Sequence, residues 1–504
     1  MRKIKQLLSY LLGAAILAGA TGCGESQHSA TAGSDVLNQS AAGSVATNQS
    51  AAALAFGLDT GSDQISFAAS QAGTSAGRLQ SSKPSSITPD HRRSSSAKDT
   101  FTSIKPNEKS EIAGLVVKPS YPKTIKQNAY DEWRANTDNN PISEDFQERL
   151  RTFSYRTAAG VLSGADGNVN YSPASLYYAL ALADAGAKGT THKEFADLLG
   201  LSDQKKLADQ CGNLYRRMCS TNEYGQLRLA NSLWMQQGVP FRDSFIKTAQ
   251  KDFYASLFQL DLQSAQAKKA MTQWVKENTK ATIEPQIQVG SQQIVSLMNT
   301  VYYCDEWVDQ FARDKTKKEK FVLENKKTVQ CDFMHKNYFS HAFYKGEDFT
   351  RSYLSMKNGS ITFILPDEGV PVDRFLSSAE KLRAVFEDGK NTVGEVQFGV
   401  PKISFGNTLS LKDMLSSLGL KTAFSRRADF TGMTGQLAYL DGVTQQTHIA
   451  WNEDGIEASA FTDLRFVGAA PPQGKADMIL NRPFIFIIQS NMPLFIGVCR
   501  NPAA

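Results

Sequence analysis

The sequence predicts an α+β domain with large, mainly antiparallel sheets. Strand-like runs are many and widely spaced, helical patterns fall between them at irregular intervals, and no βαβ repeat appears. Ordered structure is expected to start near Pro141-Ile142-Ser143, where Ser143 is an N-cap and Glu144 and Asp145 fill the first turn of a helix carrying Phe146, Leu150, Phe153 and Ala158 on one stripe. A second helix follows Ser172-Pro173, from Leu176 to Ala185. Helices are also expected at 273–280, around Trp274, and at 411–418. Strands are expected at 227–235, 294–303, 361–365, 396–405, 443–451, 484–489 and 494–499.

Ahead of this domain the chain changes character. Residues 1–22 carry Arg2, Lys3 and Lys5, then an apolar run from Leu7 to Ala20 that is too short to span a bilayer. This pattern is a secretory leader. Ala20-Thr21-Gly22-Cys23 resembles a bacterial lipobox, with cleavage before Cys23 and lipid on its sulfur; an ordinary leader cleaved nearby is the alternative. Loss of the three basic residues lowers the formal charge from +5 to +2, which gives no reason to invoke nucleic acid. The stretch from 24 to about 100 is rich in Ser, Ala, Gly, Gln and Thr, with Asn-Gln-Ser-Ala-Ala at 38–42 and again at 48–52. Such composition buries too little apolar surface to offset its ordering entropy, so 23–140 is expected to be a flexible tether. In its last forty residues Tyr121, Tyr130 and Trp133 leave docking on the domain open.

Catalytic signatures are missing. No Gly-x-Ser-x-Gly elbow, His-Glu-x-x-His, Cys-x-x-Cys or phosphate-binding glycine loop occurs, and neither a cofactor nor a metal is expected. With Cys23 lipidated, Cys211, Cys219, Cys304, Cys331 and Cys499 remain, read as scattered core residues, with a Cys211–Cys219 disulfide as the alternative. The mixed run Arg313–Lys320 reads as a solvated face, or as a polyanion site. His192, His335, His341 and His448 read as surface or internally partnered histidines.

The informative segment is 452–467. Ile456, Ala458, Ala460, Thr462, Leu464 and Phe466 alternate with Glu457, Ser459, Phe461, Asp463 and Arg465, the period of a half-buried strand. Yet the run leads into Gly468-Ala469-Ala470-Pro471-Pro472-Gln473-Gly474, the composition of an exposed loop. The Gly-x-Glu-Ala-x-Ala core from Gly455 resembles the hinge of the serpin family. Further landmarks follow in family order: Asn170-Tyr171-Ser172-Pro173-Ala174-Ser175-Leu176, Gly186–Thr191, Asn299–Tyr303 with Trp307, Val400–Ile403, Gly432-Met433, Arg482-Pro483-Phe484 and Leu494–Gly497. From about 142 to 502 the chain is similar to serpins throughout.

The resemblance implies three sheets, eight or nine helices and an exposed reactive loop over a domain at 141–504. It implies a suicide mechanism: a serine protease attacks the loop, the cut loop enters the main sheet as a new strand, and the distorted protease stays bound through its acyl ester. By family spacing the scissile bond is Ala469–Ala470, fourteen residues beyond Gly455. A small residue before the cut suits elastase-like enzymes, and subtilisin-like ones as well. The implied hinge and inserting loop are Glu453, Gly455, Ile456, Glu457, Ala458, Ser459, Ala460, Phe461 and Thr462. Ser172, Ser175, Thr272 and Gln445 are the expected polar cluster under the sheet centre; Trp307, Lys402 and Glu453 are the expected cluster at the top of the insertion path. Gln445 stands where the family often has His, so no histidine switch is expected there. Ile456 and Phe461 are bulkier than the family's usual residues and are the support for an alternative, a non-inhibitory serpin acting as a binding or chaperone module. An adhesin or carrier on an unrelated fold is the further rival. The chain is expected to be a monomer, extracytoplasmic and membrane-attached through lipid on Cys23.

Overall fold

The computed structural model describes residues 49–58, 101–102, 112–456 (apart from 124, 127, 128, 223 and 286) and 474–504. Leader, Cys23, residues 457–473 and therefore Glu457 to Thr462, Ala469 and Ala470 lie outside the described residues.

The main sheet is built from β1 (Gln49–Leu58), β2 (Leu115–Val117), β3 (Gly225–Gln236), β4 (Ala255–Leu260), β5 (Gln293–Glu306), β6 (Ile403–Ser410), β7 (Ala438–Trp451) and β8 (Gly455–Ile456). Across it the order is β6, β7, then β8 and β1 in one lane, then β5, β3, β4 and β2, with the short ninth strand Ser220–Thr221 pairing onto β3. Only β3–β4 pair in parallel in this sheet. A second nine-stranded sheet runs in the order 475–479, 392–401, 328–345, 349–355, 360–366, 484–489, 493–499, 169–171, with 317–322 pairing onto 328–345. A two-stranded pair joins Phe101–Thr102 to Phe241–Arg242. The mainly antiparallel α+β architecture is therefore as the sequence predicts.

Helices cover the main sheet on both faces. Helix α1 (Glu144–Leu162) starts where expected: the Ser143 hydroxyl accepts from the Phe146 amide at 3.2 Å. Helix α2 (Pro173–Asp184) is buried all round, which its run of Ala, Leu and Tyr permits. It joins the principal core, which holds Leu180, Leu297, Val301, Val443, Ile449 and Ile456. Helix α3 (Ala265–Asn278) begins about two turns before the expected 273, after an N-cap at Ser264. Its Met271, Trp274 and Val275 pack on the opposite face, with Trp234, Phe258 and Met298, in a second core. The run expected as one strand at 396–405 is two, 392–401 and 403–410, because the chain leaves the second sheet after Pro401, with the Lys402 amide still bonded to Asp332 of 328–345, and joins the main sheet at Ile403.

Structure also occurs in the stretch read as tether. Besides β1 and β2, helix 130–139 is present, and Arg228 lies over the Tyr121 ring at 4.6 Å, so Tyr121 docks on the domain. Ten α-helical segments occur among the described residues, and none is long and apolar enough to cross a membrane. No disulfide joins the five described cysteines, Cys211 and Cys219 included.

Candidate functional site: the hinge and the insertion lane

The site is the lane between β5 and β7. At its top, Asn452 turns the chain: its side-chain oxygen accepts from the Asp454 and Gly455 amides at 2.9 and 3.3 Å. This turn sends β8 back between the two long strands, where Gly455 pairs with Glu306 and Ile456 stands opposite both Asp305 and Trp451. Ile456 is fully buried. The hinge has thus already entered the lane by one residue pair, and the bulk of Ile456 is accommodated.

Around it the three expected residues come together. The Trp307 indole donates to Asn452 O at 2.8 Å, and its amide to Asp454 O at 3.1 Å. Lys402 Nζ lies 3.1 Å from Glu453 Oε2, and the Thr316 hydroxyl donates to Glu453 Oε1 at 2.8 Å. Burial pushes the Glu453 carboxyl up, but hydrogen bonds from its own backbone amide, Thr316 and Lys402 outweigh it and hold the group below the usual carboxylate range. Arg313 adds an ion pair to Asp454 at 2.5 Å. Part of the basic run is therefore committed to the hinge, and Lys318 pairs with Asp332 and Glu319 with His335.

Sequence reasoning missed Asp305. It is fully buried beneath Ile456, accepting from the Tyr303 hydroxyl at 2.8 Å and from Asn358 Nδ2 and N at 2.9 and 2.8 Å. Burial raises its carboxyl to about 7. The Asp305-Glu306 pair closing an otherwise largely apolar strand was the available signal.

Under the sheet centre, Gln445 and Ser172 exchange two hydrogen bonds: Ser172 N donates to Gln445 Oε1 at 2.8 Å and Gln445 Nε2 donates to Ser172 O at 2.9 Å. The Ser172 hydroxyl donates to Leu494 O at 2.7 Å and accepts from the Ser175 amide at 3.2 Å, so it also caps α2. Thr272 is not part of this cluster. It sits on α3, over the opposite face of the sheet. The polar residue facing Gln445 across the lane is Asn299 of β5, whose amide donates to Asn231 at 2.6 Å. The correction has a physical cause: a strand residue can look across the lane, whereas a residue on the covering helix is separated from α2 by the sheet itself.

The four histidines read as surface or partnered behave so: His192 bonds Asp184 and Ser202 O, His335 bonds Glu319, His341 bonds Tyr353 O, and His448 lies 3.4 Å from the Ser404 hydroxyl. No group of three metal-ligating side chains occurs among the described residues.

Residues 148–502 match the family model described as Serpin (serine protease inhibitor). The chain is 29% identical over 347 residues to alpha-1-antichymotrypsin of Homo sapiens, covering 65% of this chain and 80% of that protein. It is 30% identical over 357 residues to Ipis-1 of Ixodes persulcatus, covering 67% and 94%. Among solved structures, the native state of the thermophilic serpin tengpin superposes with a TM-score of 0.64 at 23% identity, covering 76% of this chain and 97% of that one.

Proposed function

The chain belongs to the serpin family, and from that premise we propose that it traps elastase-like serine proteases by loop insertion, at Ala469–Ala470. The observation that carries the reading is β8: the first residues of the alternating segment already pair with both walls of the lane, and every later inward position, Ala458 to Phe466, is apolar or small and none is Pro. A loop cut beyond Phe466 has both the register and the side chains to continue as a strand. Ala469 before the cut fits a shallow apolar pocket. The protein is an inhibitor rather than an enzyme in this reading, consumed one molecule per protease.

The leader and Cys23 support attachment to the cell envelope through lipid, with the inhibitory domain held outside the cytoplasm on the segment from 23 to 140. Palmitate labelling lost in Cys23→Ala checks this part.

Incubation with pancreatic elastase followed by a denaturing gel tests the inhibition. The expected product is an SDS-stable band at the summed mass less the 470–504 peptide, and mass spectrometry of that released C-terminal peptide should give Ala470 as its first residue. Clean cleavage without the band sinks the inhibitory reading, and cleavage at Arg465 alone sinks the assignment of the bond.

A further inference from the structure

The lane into which the loop must insert holds another strand. Strand β1 lies between β7 and β5, antiparallel to both, immediately below the hinge. It comes from the Ser/Ala-rich N-terminal stretch, not from the loop.

The registers of β1 and the hinge coincide. Ile456 stands opposite Asp305 and Trp451. Each residue further along an inserting loop moves one residue back along both walls, so Ser459 would fall opposite Tyr302 and His448. Gln49 pairs with Tyr302 and with His448. From there β1 follows the path the loop would take, residue 49 for 459, 50 for 460 and onward. The pairing is continuous on both walls to Ala55 and on the β5 side to Phe56; on the β7 side it slips by one between Ala55 and Phe56.

The residues that the two segments bring to this register are alike. Ser50, Ala52, Leu54 and Phe56 stand opposite Val301, Asn299, Leu297 and Val295, three of which belong to the principal core. The loop would bring Ala460, Thr462, Leu464 and Phe466 to the same four positions. Two small residues are followed by Leu and Phe in both segments, at the same spacing and in the same strand direction. At the sheet centre Ala52 is paired with both Asn299 and Gln445, so those two residues flank an occupied lane.

We propose that Gln49–Leu58 is a built-in surrogate for the reactive loop's inserting strand, bound in the main sheet in competition with that loop. The proposal rests on loop insertion as the inhibitory step and assigns a regulator to the same site. The occupant is this chain's own segment: 53 residues separate Leu58 from Ile112, a reach on the order of 170 Å at full extension, ample for return to the same molecule. Tethering places the segment at millimolar effective concentration, so the lane is filled before any protease arrives. The uncut loop is then held at Ile456, and spontaneous insertion is blocked. After cleavage the loop must displace β1 from the hinge downward, one pair at a time.

Full chain and its Leu54→Asp/Phe56→Asp variant, compared by hydrogen exchange with mass spectrometry, decide it. Peptides spanning 295–302 and 443–448 should exchange at least tenfold faster in the variant, while α1 peptides stay protected and report the folded domain. A synthetic peptide of residues 48–59 should restore protection to the variant. Leu54→Ser/Phe56→Ser provides the same readout where the acidic pair prevents folding. Equal exchange in wild type and variant overturns the proposal, and so does wild-type protection that rises with protein concentration alongside a dimer, which would assign the strand to a second copy. This readout uses no protease, so it holds whether or not the chain traps elastase; absence of any covalent complex from both proteins counts against trapping alone. Where trapping occurs, its rate should rise at least fivefold in the variant, and an unchanged rate overturns the competition.

Discussion

Glu453 and Asp305 sit within a few residues of the same turn and respond to pH in opposite senses. Glu453 is held below its ordinary range by hydrogen bonds and Lys402, so its stabilisation is complete above the carboxylate range and is lost as the pH falls through the lowered value. Asp305 is raised to about 7 by burial, so the folded state holds a proton that the unfolded chain has released. Its contribution is complete below about 4, declines as pH rises, and is gone above about 7. The melting temperature should therefore fall by about 2–4 °C between pH 5.5 and 7.5, and Asp305→Asn should flatten that slope. A slope unchanged in the variant would remove Asp305 from the account. Gln445, being neutral, contributes no titration at the sheet centre. Glu453→Lys places like charge against Lys402 in a buried corner and removes the acceptor of Thr316; a loss of about 2–4 kcal/mol is expected, with ladders of polymer on native gels after mild heating. Monomer alone after the same treatment would show that the hinge corner does not guard the lane.

At the scale of elements, the proposed mechanism makes the hinge and the loop successive parts of one strand. Ile456 is legible in both: the sequence marks it as inward, and the structure buries it between β5 and β7. Thr462 belongs to the same inward set, three pairs below the register of Ser459. Thr462→Arg would bring an unpaired charge into the core face of the lane, at a cost that the insertion cannot offset. The variant should be cut by elastase at the wild-type rate yet form less than a tenth of the covalent complex, as read on a denaturing gel; full complex yield would mean that insertion stops short of residue 462. Helix α2 is the other element on which the lane depends. Its N-terminus is fastened to β7 by the paired Ser172–Gln445 bonds and to the second sheet by Ser172–Leu494, so widening the lane moves a cap, not merely a strand.

For the whole molecule, the proposed mechanism makes the main sheet a set of walls around an exchangeable strand. In the proposed mechanism a cut loop entering an empty lane would gain on the order of ten hydrogen bonds, each worth about 1 kcal/mol, which for a domain spanning 141–504 is a rise in melting temperature of about 13 °C. Scanning calorimetry of elastase-cleaved against intact protein measures it. A rise of only a few degrees would show either that insertion fails or that β1 already contributes most of what the loop could add. The Leu54→Asp/Phe56→Asp chain separates the two, since its intact form should melt lower than wild type and its cleaved form at the same temperature.

Local patterns made much of this readable from the residues. The helix at Ser143 is dictated by a cap and an apolar stripe, the strands by alternation, and the hinge by small inward residues that contradict an exposed loop; such features depend on neighbours within a few positions. Thr272 and Asn299 show the limit. Which of them faces Gln445 depends on which side of a sheet a helix covers, and residue spacing carries no information on that. Asp305 is similar: its elevated carboxyl arises from burial in a packed interior that includes strand partners as distant as Ile456, 151 positions away. The strongest case is Gln49–Leu58. Its own residues are mostly Ala, Leu and Phe, but it lies inside a stretch from 24 to about 100 rich in Ser, Ala, Gly, Gln and Thr, which is why it reads as tether. Only tertiary structure decides that two distant strands offer it unpaired backbone groups on both sides, with the core residues Leu297 and Val295 opposite Leu54 and Phe56, because a strand's stability resides in its partners and not in its own sequence.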